Sequence, residues 1–150
     1  MKKLLFTTII VLAIPMFLSA QSKKIEGIWF NEEKTSKLDV KTGSDGKISG
    51  QIVWLDEPNE DGAPKLDKEN PDAELAKKPV MGLVIVKGFT YNADKERWTG
   101  GTIYDPKNGK TYDCYAWFED GDFDNLYIKG YVAGIKALRR KTIWTKTNLN

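Results

Sequence analysis

The segment 98–114 constrains the fold of this chain more than any other part of the sequence. Two runs rich in Trp, Thr, Ile and Tyr flank a turn that contains Pro106 and Asn108-Gly109. The flanking residue types favour β-strands. Proline presets φ and glycine accepts positive φ, so this turn can reverse the chain tightly. The segment therefore predicts an antiparallel β-hairpin.

The register of this hairpin stays open in the sequence. Lys110 can pair with Asp105 or with Tyr104. Because side chains alternate between the two faces of a strand, a slip of one residue exchanges the faces. Trp98 is accordingly compatible with either the inside or the outside of the sheet.

Short β-runs separated by turn residues continue along the chain. The predicted strands are 25–30, 37–41, 47–55, 80–89, 96–104, 110–119, 125–132 and 141–147. Eight antiparallel strands with one apolar face each suit an all-β barrel whose interior holds side chains or one small ligand, although a two-sheet sandwich fits the same pattern. The polar stretch 56–78 predicts a long loop, with one helical turn near 72–77.

Alternation along the clearest strands selects the residues expected to line the barrel. Apolar side chains recur at every second position of these strands, which places them on one face. The candidate ligand-binding lining is Ile52, Trp54, Tyr112, Cys114, Ala116, Leu126 and Ile128. Cys114 is the only cysteine, so the chain forms no internal disulfide, and its strand context favours a small buried hydrophobe.

Residues 1–20 have the order of a secretory signal peptide. Two lysines precede an apolar run, and Ser19-Ala20 leads into a polar segment. A retained membrane anchor is the alternative, but the run is short for the roughly 20 residues that a spanning helix needs. We expect cleavage after Ala20, which leaves residues 21–150 as one domain. This domain is expected to be periplasmic or secreted. The cleaved chain has 21 basic and 21 acidic residues and lacks the surplus positive charge typical of nucleic-acid-binding proteins.

The residue types available for chemistry are few. The chain has no histidine, which excludes Ser–His–Asp and Cys–His catalysis and disfavours zinc. A carboxylate pair such as Asp105 with Asp113 is the remaining hydrolytic option. The acidic order in 57–62 mimics part of a calcium loop, but Lys68 stands where a bidentate glutamate is needed. We predict no catalytic residue, metal or cofactor.

Several motifs along the chain resemble those of DUF2147, a domain-of-unknown-function family of secreted bacterial proteins that look lipocalin-like. The motifs are Gly27-Ile28-Trp29, Gly50-Gln51-Ile52-Val53-Trp54-Leu55, Asp67-Lys68-Glu69-Asn70-Pro71-Asp72, Pro79-Val80-Met81-Gly82-Leu83, the segment 98–114, Lys129-Gly130-Tyr131, and Arg140 ahead of Trp144-Thr145. The resemblance implies an antiparallel lipocalin-like barrel and a small-ligand role rather than a reaction.

The resemblance also implies a contact at one end of the barrel. In the lipocalin opening motif, the tryptophan of Gly-x-Trp closes the barrel and stacks beside an arginine from the last strand. Trp29 and Arg140 are the residues expected to do so here. The chain departs from the pattern at Arg139, where a glycine is expected, and at Lys146, where an arginine is expected.

Two functions follow as hypotheses. The first is exported, non-catalytic binding of a small hydrophobic molecule or lipid in the barrel. The second is a cell-envelope interaction module that uses the barrel as a scaffold and meets a protein partner through the loop 56–78 and outward aromatic residues. Those aromatic residues are Tyr115, Trp117, Tyr127 and Tyr131.

Overall fold

The predicted β-runs form a closed barrel in a computed structural model that describes residues 23–132 and 135–150. The strands are β1 (Gly27–Phe30), β2 (Ser36–Thr42), β3 (Ile48–Leu55), β4 (Asn59–Glu60), β5 (Ala63–Pro64), β6 (Val84–Asn92), β7 (Arg97–Asp105), β8 (Lys110–Glu119), β9 (Asp122–Val132) and β10 (Ile135–Thr147). Short 3₁₀ turns span Lys23–Ile25 and Leu75–Lys77. The predicted signal peptide lies outside the described residues.

The barrel strands follow one another as β1-β10-β9-β8-β7-β6-β3-β2, and β2 pairs with β1 to close the ring. All of these pairs are antiparallel. Closure removes the free sheet edges that a sandwich would retain. The barrel prediction is confirmed, and the sandwich alternative is wrong.

The hairpin of β7 and β8 takes the first of its two possible registers. Asp105 pairs with Lys110, and Gly109 in the turn has φ of +67°. The register shifts by a β-bulge between Trp98 and Gly101, where Trp98 pairs with Ala116. Trp98 is 2% exposed, so the structure places it inside the barrel.

Aromatic side chains fill one end of the barrel. Trp29 is fully buried, and its indole Nε1 donates a hydrogen bond to the Ile25 carbonyl at 2.9 Å. The Phe118 ring lies 5.9 Å from the Trp29 ring and 5.4 Å from the Trp98 ring, measured between centroids. These tilted and edge-on contacts are the geometries that aromatic pairs prefer. We call this the packed end; the opposite end is the mouth.

The expected contact between Trp29 and Arg140 is wrong, because the cation beside the Trp29 ring is Lys146. Trp29 and Lys146 are register partners of β1 and β10, and the ammonium lies 5.5 Å from the indole centroid. Arg140 comes six residues earlier on β10, about 20 Å away at roughly 3.3 Å per residue. Its guanidinium contacts Glu33 at the mouth instead.

The segment 56–83 connects β3 to β6 across the mouth, and we call it the strap. Its first half is the small hairpin of β4 and β5, turned at Asp61-Gly62, where both residues have positive φ. The acidic order in 57–62 is therefore turn chemistry. The predicted helical turn is present as the 3₁₀ turn at Leu75–Lys77, where Asp72 Oδ1 accepts hydrogen bonds from two backbone N–H groups. Within the described part of the chain, no helix has the length and apolar character to cross a membrane.

Candidate functional site

An open cavity of about 740 Å³ occupies the barrel between the mouth and the packed end. This volume lies within the roughly 300–1,000 Å³ range of small-molecule sites. Most of its inner wall is apolar. The apolar wall residues on barrel strands are Leu38, Ile52, Leu55, Ile85, Ile103, Cys114, Ile128 and Trp144.

Four of the seven predicted lining residues lie in this wall: Ile52, Tyr112, Cys114 and Ile128. Their role in binding stays a prediction. Two others, Ala116 and Leu126, are 1% exposed but do not line the cavity. They belong to the buried core, where Ala116 pairs with Trp98 and Leu126 pairs with Trp144.

The assignment of Trp54 to the lining is wrong, because a β-bulge reverses the alternation. Strand β2 pairs with Ile52 and then with Trp54, so Val53 is an extra residue between them. An extra residue turns the following side chains to the opposite face. Trp54 packs edge-on against Phe30 at 5.8 Å, and the Lys37 ammonium lies 5.4 Å from its ring, outside the cavity.

Several wall residues are absent from the predicted lining. Leu38 alternates with Val40 in the sequence, so the reasoning that selects Ile52 could also have found it. The sequence does not predict that Ile103 faces inward, because it leaves the hairpin register open. Trp144 belongs to the motif that follows Arg140, and only the structure shows that its ring reaches the cavity.

The strap forms one side of the cavity through Lys65, Leu66 and Val80. It lies against the β7–β8 turn so closely that a Cβ on Gly109 would stand 1.9 Å from the Glu69 carbonyl oxygen. This contact explains why the turn requires glycine beyond its positive φ. The strap is therefore a packed wall of the cavity.

A buried carboxylate fastens the strap to the barrel. Asp67 is fully buried, and its two oxygens accept hydrogen bonds from the Tyr104 hydroxyl and the Asn70 amide, each at 2.7 Å. Tyr104 also lines the cavity. Burial, followed by the bond to Asp67, raises the pKa of the Tyr104 phenol well above its ordinary value. The phenol therefore stays protonated as a donor, which a buried carboxylate requires. Asp67 is the first residue of one of the motifs that resemble DUF2147, but the sequence alone predicts no role for it.

We expect Tyr104→Phe to lower the free energy of unfolding by about 1–3 kcal/mol, because it leaves one oxygen of a buried carboxylate without its donor. The matched control is Tyr112→Phe, whose hydroxyl makes an exposed bond with Asn108 at 3.1 Å. That loss should cost about 1 kcal/mol or less. Urea unfolding of both variants measures the difference. Equal losses would show that the Asp67 bond does not stabilise the strap.

The candidate carboxylate pair does not share a cleft. Asp105 is occupied in its own turn, where it accepts hydrogen bonds from the Lys107 N–H at 3.0 Å and the Asn108 amide at 2.9 Å. Asp113 pairs with Thr102 and Tyr131, lies on the face opposite to the inward Tyr112, and does not line the cavity. In the described part of the chain, no group of three or more His, Cys, Asp or Glu side chains is arranged to hold a metal ion.

Comparison with known proteins supports this architecture. A solved structure titled "Protein HP1028 from the human pathogen Helicobacter pylori belongs to the lipocalin family" matches with a TM-score of 0.67 and 19% sequence identity, over 83% of each chain. At this identity the likeness shows the fold, which is a lipocalin-like barrel. No curated protein matches the chain. A family model described as "Uncharacterized protein conserved in bacteria (DUF2147)" matches residues 27–146. The chain belongs to the DUF2147 family.

Proposed function

We propose that this protein binds a small, largely hydrophobic molecule in its barrel, without catalysis. The open apolar cavity of about 740 Å³ carries the proposal. Each CH₂ group that a ligand buries there contributes about 0.8 kcal/mol. With its signal peptide removed, the protein would perform this role in the periplasm or outside the cell.

The side chains around the cavity support binding rather than a reaction. Cys114 is the one thiol in the wall, and burial raises its pKa to about 12, so it is a poor nucleophile near neutral pH. Asp105, at the mouth, is held by the backbone and amide of its own turn. Barrels of the lipocalin type are generally containers, which agrees with this interpretation.

The alternative, an envelope module that meets a protein partner, has weaker support. Three of its outward aromatic residues contact one another: the Trp117 ring lies 5.5 Å from the Tyr115 ring in a tilted pair and 5.6 Å from the Tyr127 ring in a stacked pair. Arg97 covers the Tyr115 ring at 5.1 Å, and Lys141 covers the Tyr127 ring at 4.3 Å. Ring faces that are already covered contribute less to a new interface.

A leucine at position 130 tests the proposed site. Gly130 lines the cavity, and a Cβ there would make ordinary contacts of 3.5 Å or more. Gly130→Leu therefore places a side chain into the cavity without a backbone clash. We expect it to weaken the binding of a dansyl-labelled undecanoic acid by about tenfold or more, measured by fluorescence titration.

The matched control is Lys129→Leu, which adds the same side chain on the outer face of the same strand. It should leave the affinity unchanged. Equal affinities of Gly130→Leu and the unmodified protein would place the probe outside the barrel. If the unmodified protein takes up no probe and native mass spectrometry finds no co-purifying small molecule, the proposed function is wrong.

A further inference from the structure

Arg140 begins on the inward face of the barrel. Its register partner on β9 is Gly130, which pairs in turn with Cys114. All three residues line the cavity, as do Thr142 and Trp144 further along the inward face of β10. Arg140 therefore places a cation at the open end of a mostly apolar cavity.

Among the described residues, the guanidinium of Arg140 uses one nitrogen in a side-chain hydrogen bond. One nitrogen, Nη2, donates to Glu33 Oε1 at 2.9 Å. An arginine carries five N–H groups, arranged as a planar fork that matches carboxylate and phosphate oxygens. The side chain is 72% exposed, so the group stays hydrated at the mouth while its stem lies along the cavity.

Glu33 occupies the place that a ligand anion would take. Its second oxygen accepts a hydrogen bond from the Asn31 amide at 3.0 Å. Glu33, Asn31 and Arg140 all line the cavity. An exposed ion pair of this kind contributes little to stability, so a competing carboxylate can replace Glu33 at small cost.

The other charged groups around the mouth differ from Arg140 in position. Lys65, Asp56 and Glu57 lie on the strap, and Lys107 lies on the β7–β8 turn. Asp105 is held within its own turn. Within the described part of the chain, Arg140 is therefore the cation that a barrel strand contributes to the cavity wall, directly above the apolar interior.

We propose that the ligand is a single-chain anionic amphiphile, whose acyl chain lies in the cavity and whose acidic head group accepts hydrogen bonds from Arg140 in place of Glu33. This inference rests on the proposed function and adds the chemical class of the ligand. Carboxylate and phosphate head groups share the required chemistry.

Competition against the dansyl-labelled undecanoic acid distinguishes the possible head groups. The competitors are laurate and dodecyl phosphate, each below its micelle concentration, and the neutral dodecanol, below its solubility limit. We expect at least one of the two anions to compete about fivefold more strongly than dodecanol. The anion with the lower dissociation constant identifies the head group that the site prefers.

Three variants assign the effect to the proposed residues. Arg140→Gln should weaken the binding of the preferred anion about fivefold and leave the affinity for dodecanol unchanged, with the dissociation constant of the probe measured separately for each variant. Glu33→Gln should strengthen the binding of the same anion about twofold, because it removes the carboxylate that competes for Arg140. Lys141→Gln is the matched control: Lys141 neighbours Arg140 but contacts Glu119 and the outer aromatic rings. It should change neither affinity.

The outcomes separate this inference from the proposed function. If dodecanol binds as well as both anions, or if Arg140→Gln changes nothing, the head-group assignment is wrong while barrel binding stands. If Glu33→Gln weakens the binding of the anion, Glu33 does not compete with it, and the proposed replacement of Glu33 by the head group is wrong. If the unmodified protein binds neither the probe nor any competitor, both proposals are overturned.

Discussion

Cys114 is expected to react with a thiol reagent such as DTNB, near pH 8, about a thousandfold more slowly than a free cysteine. The residue is 3% exposed, and burial raises the pKa of its thiol from the ordinary 9.0 to about 12. The thiolate is the reactive form, so the rate should rise about tenfold per pH unit up to that pKa. Stopped-flow absorbance between pH 7 and 10 measures this dependence.

The control for Cys114 is a cysteine on the outer wall of the barrel. A Lys129→Cys, Cys114→Ala double variant places the thiol on the opposite face of the sheet, where it should react like a free thiol. Urea-unfolded protein should also react at the ordinary rate. Fast labelling of native Cys114 at pH 8 would contradict its buried place in the cavity wall.

The same ionisation links stability to pH. Below pH 9 the thiol is protonated in both the folded and the unfolded chain, so its contribution to stability is fully present. Between pH 9 and about 12 the unfolded chain loses this proton while the folded chain keeps it. The contribution therefore diminishes as the pH rises through that range, and the raised pKa of Tyr104 acts in the same direction.

Gly101→Ala is expected to cost more stability than the loss of the Tyr104 hydroxyl. A Cβ at Gly101 would stand 2.1 Å from Cδ2 of Phe89, which is 1% exposed. Because the Phe89 ring is buried in the core, we expect the clash to shift β6 against β7. We expect the free energy of unfolding to fall by about 3 kcal/mol, and the melting temperature by roughly 10 °C. Calorimetry measures both.

The neighbouring glycine separates the clash from backbone strain. Gly100 has φ of +73°, and a Cβ added to it would meet no atom within 4 Å. Gly100→Ala therefore carries strain without a clash and should cost about 1 kcal/mol. Adding Phe89→Leu to Gly101→Ala should recover part of the loss, as coupled neighbours do. Additive losses, or equal losses for the two glycines, would contradict a clash with Phe89.

The fold was largely predictable because its signals are local. The eight predicted runs correspond to the eight barrel strands, and the turn at 106–109 lies where proline and glycine require it. The main errors in position concern β6, predicted from residue 80 but beginning at Val84, and β10, which begins before the predicted residue 141. The resemblance to DUF2147 is confirmed by the family match over residues 27–146.

Only about half of the predicted cavity lining is correct, because the lining depends on where β-bulges interrupt the inward–outward alternation of side chains. Ile52 and Trp54 have the same spacing and apolar character in the sequence, yet the bulge at Val53 places one inside and the other outside. The position of Arg140 at the mouth and the bond between Asp67 and Tyr104 join residues far apart in the chain. Residue patterns do not report such long-range contacts.

The alternation of apolar and polar residues and the residue types of the turns depend only on neighbours in the chain. These local patterns were enough to predict eight antiparallel strands with one apolar face each. Closure of those strands into a barrel, and what the barrel contains, depended on contacts between distant parts of the chain. Each side chain faces inward or outward according to register and bulges, which are set by pairing with other strands and by packing against residues such as Phe89 and Trp29. An open apolar cavity with an arginine at its mouth is the result of those pairings.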